Sequence, residues 1–214
     1  LGVTAMAVSA SHGGGGGMTY VYILHDPLFY GAWTGIPGLY EAMGLLWIPG
    51  SLVAGYVAWR RFPDPTPKAA VQGMLLVTTV FYLTRYGVYE QYLLYLLPLF
   101  LADIVLWHPG RRTVYNFTCI LIFAYLLVNN DLLIRFLGPV NSSFVDIAYA
   151  ADASPVLGIL RTAGLYTLDV LITITLLQLT VVFARGESNP VPWPMSLVRS
   201  IRGRSPSIRT EAQP

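Results

Sequence analysis

Five apolar runs make up a little under half of this chain, covering residues 38–59, 69–85, 89–107, 114–128 and 164–184. At about 1.5 Å of rise per helical residue, a hydrocarbon core of ~30 Å takes roughly 20 residues, so such runs read as membrane-crossing helices. Backbone amides in hydrocarbon find no water, and a helix bonds its own. The expected fold is therefore an all-α integral membrane protein with about five transmembrane helices. Composition agrees: 55% of residues are hydrophobic and 11% charged, against about 25% charged in a soluble domain. The net charge is +2 with the basic residues grouped, which argues for membrane topology and against a nucleic-acid surface. The one cysteine, Cys119, lies inside an apolar run, so no intrachain disulfide or zinc pattern is expected.

The ends differ from the middle. Residues 1–37 read as a glycine-rich flexible segment followed by an outer interfacial loop. Five consecutive glycines follow His12, a linker composition. The aromatic-rich stretch after them, with glycine and proline breaks around His25-Asp26-Pro27, suits an interfacial or re-entrant path. Asp26 there is a candidate acid, base or ligand, or simply the start of a turn. The chain opens on Leu1, and residues 1–10 lack the basic flank of a signal peptide. An outward N-terminus without such a signal is natural for the later part of a longer multispanning protein. Residues 38–184 form the five-span domain, in which Pro49-Gly50 predict a kink in the first span. Between the fourth and fifth spans, residues 132–139 are apolar but too short to cross, and read as interfacial or re-entrant. Residues 185–214 carry arginines among prolines and serines and read as a disordered basic tail.

Sidedness follows from the basic residues. Arg60, Arg61 and Lys68 follow the first span, Arg111 and Arg112 the third, and Arg185 with the tail the fifth. All fall on one side, which the positive-inside rule makes cytoplasmic, leaving the N-terminal region outside. The opposite face then receives Asp26, the cluster Arg85 to Tyr92, Asp131, Arg135, Asp146 and Asp152, and a glycosylation-type sequon at Asn141-Ser142-Ser143.

Among these outer groups, Arg85 and Arg135 are guanidinium groups beside apolar residues, suited to a phosphate headgroup or to snorkelling. Glu90, Gln91 and Tyr92 could bind a sugar through hydrogen bonds and ring stacking, or anchor the helix at the interface. Within the spans, Asp103 and Asp169 are candidate proton-relay groups, and Asn116 and Gln178 candidate interhelix hydrogen bonders. His12, His25 and His108 fall on both faces, so haem or copper ligation is not expected, and no metal spacing or resident cofactor is indicated.

Gln91-Tyr92-Leu93-Leu94-Tyr95-Leu96-Leu97-Pro98 resembles a segment in the C-terminal half of membrane mannosyltransferases of the GPI mannosyltransferase I type, which are GT-C glycosyltransferases. The resemblance covers residues 89–98. It implies an enzyme that takes sugar, mannose in that family, from a polyprenyl-phosphate donor on the extracytoplasmic face, with inversion at the sugar carbon and an outer-loop carboxylate as base. Asp26 is the residue here in such a loop, although the family places its carboxylate after an earlier span that this chain does not contain. Two other readings compete with this one. The chain could be a non-catalytic multispanning subunit of a larger membrane complex, or a small proton-coupled transporter using Asp103 or Asp169. Membrane lipid is the expected partner, together with further membrane subunits on the second reading, and the plasma membrane or endoplasmic reticulum membrane is the expected location.

Overall fold

A computed structural model describes residues 20, 45–85, 90–129, 137, 139–152 and 154–196. Every regular element among the described residues is helical, and they include no strand. The helices are α1 (Trp47–Arg61), α2 (Pro67–Thr84), α3 (Glu90–Leu106), α4 (Arg112–Asn129), α5 (Ser143–Asp152) and α6 (Pro155–Arg185), with a single 3-10 turn, Pro109–Arg111, between α3 and α4.

Local chemistry sets the helix ends. Thr66 is extended and its Oγ1 accepts the Ala69 N–H at 3.2 Å, while Pro67 occupies the first helical turn, where a missing N–H costs nothing. Pro155 opens α6 in the same way. At the far end of α6, Gly186 takes a left-handed φ of 66°. Its N–H bonds the Phe183 carbonyl, and the Glu187 N–H bonds the Val182 carbonyl at 3.0 Å, a Schellman closure that satisfies otherwise orphaned carbonyls.

α2, α3, α4 and α6 pack in a ring in which each touches the next, and α1 lies against the outer side of α2. Their inward residues recur at spacings of three and four: Leu93, Leu96, Phe100 and Ile104 on α3, and Leu165, Asp169, Ile172, Leu176, Leu179 and Phe183 on α6. That spacing keeps one stripe of each helix facing its neighbours. Phe100 meets Tyr115 of α4 and Phe183 of α6 edge-on, with centroids 5.4 and 5.3 Å apart, which locks the ring near one end. Where α1 crosses α2, a Cβ on Gly50 would stand 3.1 Å from Thr84 Oγ1, so a small residue permits the approach. The outward faces are apolar as well, with Leu52, Tyr56, Trp59, Val105, Ile120 and Phe123 all exposed. Among the described residues two stretches, Pro109–Asn129 and Val156–Arg185, are long and apolar enough to cross a membrane; Tyr92–Leu106 is a shorter apolar helix.

Several expectations change. Pro49 sits in the first turn of α1, a place that tolerates proline, so it does not kink the middle of the described helix. Residues 38–44, where that span was expected to begin, lie outside the described residues. α6 begins at Pro155, nine residues before the expected start of the fifth span, because proline and Arg161 are compatible with an opening turn. The first part of the expected disordered tail is ordered: Gln178 Nε2 donates to the Val191 carbonyl at 2.6 Å, and the Trp193 N–H donates back to Gln178 Oε1 at 3.0 Å. Gln178 thus ties α6 to the returning chain and not to another helix, and Asn116 is exposed. The glycine run, His12, His25, residues 131–136 and residues 197–214 lie outside the described residues.

Candidate functional site

At the C-terminal end of α2 the chain turns extended at Arg85, whose N–H still bonds the Phe81 carbonyl. The next described element, α3, brings Tyr92 to the same place. The Arg85 guanidinium carbon lies 5.0 Å from the Phe81 ring centroid and 5.4 Å from that of Tyr92. Stacking of this kind engages the flat face of the guanidinium and leaves its in-plane N–H groups for an anion. Arg85 and Tyr92 are therefore brought together. Glu90 and Gln91 open α3 beside them, their side chains outside the described part; Asp26 and Arg135 lie outside the described residues altogether. Asp146 is exposed in the first turn of α5. Asn141, exposed, accepts the Ser143 N–H through its Oδ1 at 3.0 Å, so the sequon forms a local turn before α5.

The opposite end of the bundle holds a second polar constellation, and its assembly was not evident from sequence. α3 ends at Leu106, and the Pro109-Gly110 turn folds the chain back so that His108 and Arg111 both reach Asp103. His108 Nδ1 lies 2.9 Å from Asp103 Oδ1, and Arg111 Nη1 donates to Asp103 Oδ2 at 2.7 Å. With Nδ1 as donor, the other ring nitrogen accepts from Gln72 Nε2 of α2 at 3.1 Å, and both ring positions are used. Arg111 Nε donates to the Glu187 carbonyl at 2.6 Å, just past the Schellman closure, and its guanidinium lies over the Phe183 ring at 5.4 Å. Asp103 and Arg111 are fully buried. A Cβ on Gly110 would collide with Asn189 Oδ1 and come within 2.6 Å of the Ser188 carbonyl, so glycine lets the two loops touch.

Arg111, one of the basic residues read from sequence as marking a side of the membrane, is here paired with an internal carboxylate, and both oxygens of Asp103 are taken by Arg111 and His108. Chemically the cluster is a clasp joining α2, α3, the 3-10 turn and the end of α6. Its sequence signal was present in Asp103, His108 and Arg111 around Pro109-Gly110, but the break there ends the helical register, so no periodicity links the three residues.

The third polar feature is Asp169, on the inward stripe of α6. It is fully buried and neither carboxylate oxygen has a hydrogen-bond partner. One turn on, Thr173 Oγ1 donates to the Asp169 backbone carbonyl at 2.7 Å and accepts the Tyr20 N–H at 2.9 Å. A cavity of about 770 Å³ opens between α1 and α2, lined by Gly55, Ala58, Trp59, Phe62, Gly73 and Met74 among others. It lies toward the Arg61 end of the helices and does not adjoin Arg85. Among the described residues no three His, Cys, Asp or Glu side chains come together to hold a metal ion.

No protein-family model, no curated protein and no solved structure matches this chain.

Proposed function

We propose that this chain is the membrane domain of a glycosyltransferase of the GT-C type, taking sugar from a polyprenyl-phosphate donor on the extracytoplasmic side of the plasma membrane or the endoplasmic reticulum membrane. On this reading the five apolar runs all cross the bilayer, the N-terminal segment lies outside and the tail inside. The observation that carries it is the position of Arg85. It sits at the end of α2 away from Arg61 and Lys68, held by two rings. Arg61, by contrast, donates to the Arg185 carbonyl, which gathers the C-terminal ends of α1 and α6 at the other end. A half-buried guanidinium stacked on two rings is suited to the phosphate of a lipid carrier, whose charge grows as the sugar leaves. The segment Gln91 to Pro98, on which the family resemblance rests, starts beside it. Asp26 is the candidate base, and Glu90, Gln91, Tyr92 and Arg135 the candidate substrate contacts.

The test is sugar transfer by the full protein from polyprenyl-phosphate mannose. Arg85→Ala is expected to lower kcat/KM at least ~10-fold, about 1.4 kcal/mol of transition-state stabilisation. Arg85→Lys should recover only part of it, because an ammonium keeps the charge and loses the bidentate fork. Undiminished transfer by both variants, and by Glu90→Gln, removes this end of the bundle from catalysis.

A second reading, a non-catalytic subunit packed among other membrane chains, is favoured by the exposed apolar side chains of α1, Leu52, Val53, Tyr56 and Trp59. Purification as a defined hetero-oligomer, with no transfer activity in the isolated chain, would decide for it.

A further inference from the structure

We propose that Asp169 is a proton-binding site in the interior of the bundle, which exchanges its proton while the helices stay packed. The inference stands apart from the sugar-transfer reading. Asp169 lies about 24 Å along the axis from Arg185 and about 12 Å from Arg161, at ~1.5 Å per residue, well inside the apolar stretch Val156–Arg185. It occupies a core position of the three-four stripe, between the apolar Leu165 and Ile172. A carboxylate at such a position needs a donor, a counter-ion or a proton, since burying a bare ion costs several kcal/mol.

Among the described residues, the groups on the surrounding elements supply neither a hydrogen-bond donor nor an ion pair to Asp169. Among the described residues of α2, Tyr82 is the nearest titratable group in that half of the helix, and Arg85 is stacked on Phe81 and Tyr92. α4 carries Tyr115, Cys119 and the buried Tyr125, and α5 the exposed Asp146. On α1, Arg60 and Arg61 sit at the far end, where Arg61 is bonded to the Arg185 carbonyl. On α6 itself Tyr166 lies one turn before, and Arg161 donates to the Asn129 carbonyl at 2.6 Å. None of them hydrogen-bonds to either Asp169 oxygen. Asp103, the other carboxylate within a span, differs in this respect: Arg111 and His108 occupy both its oxygens. A proton satisfies a buried carboxylate that has no other partner, and Asp169 is such a carboxylate.

One turn on, the Thr173 hydroxyl donates to the Asp169 backbone carbonyl and accepts the Tyr20 N–H, so a further polar contact reaches this stretch of α6. The step is a simple protonation: an O–H bond forms at one carboxylate oxygen from a solvent hydronium and breaks again when the proton returns to water.

The experiment is infrared titration of the full chain in lipid nanodiscs. The wild type, with aspartate carboxyl carbons isotopically labelled, is expected to show a protonated-acid carbonyl band that shifts with the label and disappears as pH rises. Asp169→Asn should lack that band, and Asp103→Asn should keep it. Because Asn resembles the neutral acid in shape and charge, the variant should fold, and its melting temperature should be less dependent on pH than that of the wild type. A native state that binds more protons than the unfolded one loses stability as pH rises, so the wild-type curve should fall where the Asn curve stays level. Should Asp169→Asn not fold, Asp169→Glu must show the same band with a shifted midpoint. A wild-type spectrum with no label-sensitive titrating band, or one that Asp169→Asn leaves intact, overturns the proposal.

Discussion

Asp103 and Arg111 show how much depends on a single partner in an apolar interior. Each alone would be an uncompensated buried charge, and together they are a pair with one extra donor from His108 and one extra acceptor from the Glu187 carbonyl. Breaking a buried pair from one side costs about 3–5 kcal/mol, whereas replacing both members by apolar residues of similar size is often nearly neutral. Arg111→Met and Asp103→Leu are therefore each expected to destabilise by about that amount, while the double variant recovers most of the loss. Chemical unfolding of the purified protein in detergent measures all three, and strictly additive losses would refute the clasp. Gly110 belongs to the same construction. A methyl group there meets Asn189 and the Ser188 carbonyl, so Gly110→Ala should cost about 1–3 kcal/mol even though it removes no polar contact.

At the scale of elements, α6 is longer than any span read from the sequence. Its 31 residues rise about 46 Å, more than a ~30 Å core requires, so part of it must stand in the interface or tilt. The left-handed turn at Gly186 ends it and presents the Glu187 carbonyl to Arg111. Gly186→Ala is expected to cost about 1–2 kcal/mol from the φ of 66° alone. The space around that Cβ is open, so a loss much larger than this, read in the same unfolding experiment, would mean that the turn carries more than backbone strain. The helical class of the described residues was legible in the sequence, because it follows from long apolar runs; which face of each helix turns inward was not read from it. The start of α6 was not, since Pro155 reads as a break although proline is a good opener. The ordered return at Gln178 and Trp193 was also missed, because proline and serine composition signals disorder and does not show a glutamine two turns back whose amide matches a passing backbone. Of the candidate site, Arg85 and Tyr92 could be placed together from their nearness in sequence. The clasp could not, since it needs a chain reversal and residues from three helices.

For the whole molecule the question is which loops share a side. The ring of α2, α3, α4 and α6, with α1 beside α2, puts the α1–α2 loop, the 3-10 turn and the start of the returning chain at one end, where Arg61 bonds the Arg185 carbonyl. Arg85, the end of α4 at Asn129 and the residues before α5 belong to the other end, where Arg161 bonds the Asn129 carbonyl. If the bundle crosses a membrane, these two sets lie in different compartments, and the excess of Lys and Arg in the first makes that compartment cytoplasmic. The natural cysteine must first be removed, with Cys119→Ala, before accessibility can be read. In that background Asp64→Cys and Glu187→Cys should react with a membrane-impermeant thiol reagent only after the membrane is opened. Ser142→Cys, in the exposed turn before α5, should react in intact cells. Equal and substantial labelling of Asp64→Cys and Ser142→Cys in intact cells carrying the protein in the plasma membrane, or in sealed microsomes if it lies in the endoplasmic reticulum, would remove the transmembrane layout and, with it, the assignment of Arg85 to an extracytoplasmic face. Reversed labelling would keep the spans but bring Arg85 into the cytoplasm, where the same guanidinium would face phosphates of a different supply and the lipid-carrier donor would have to be presented from the inner leaflet.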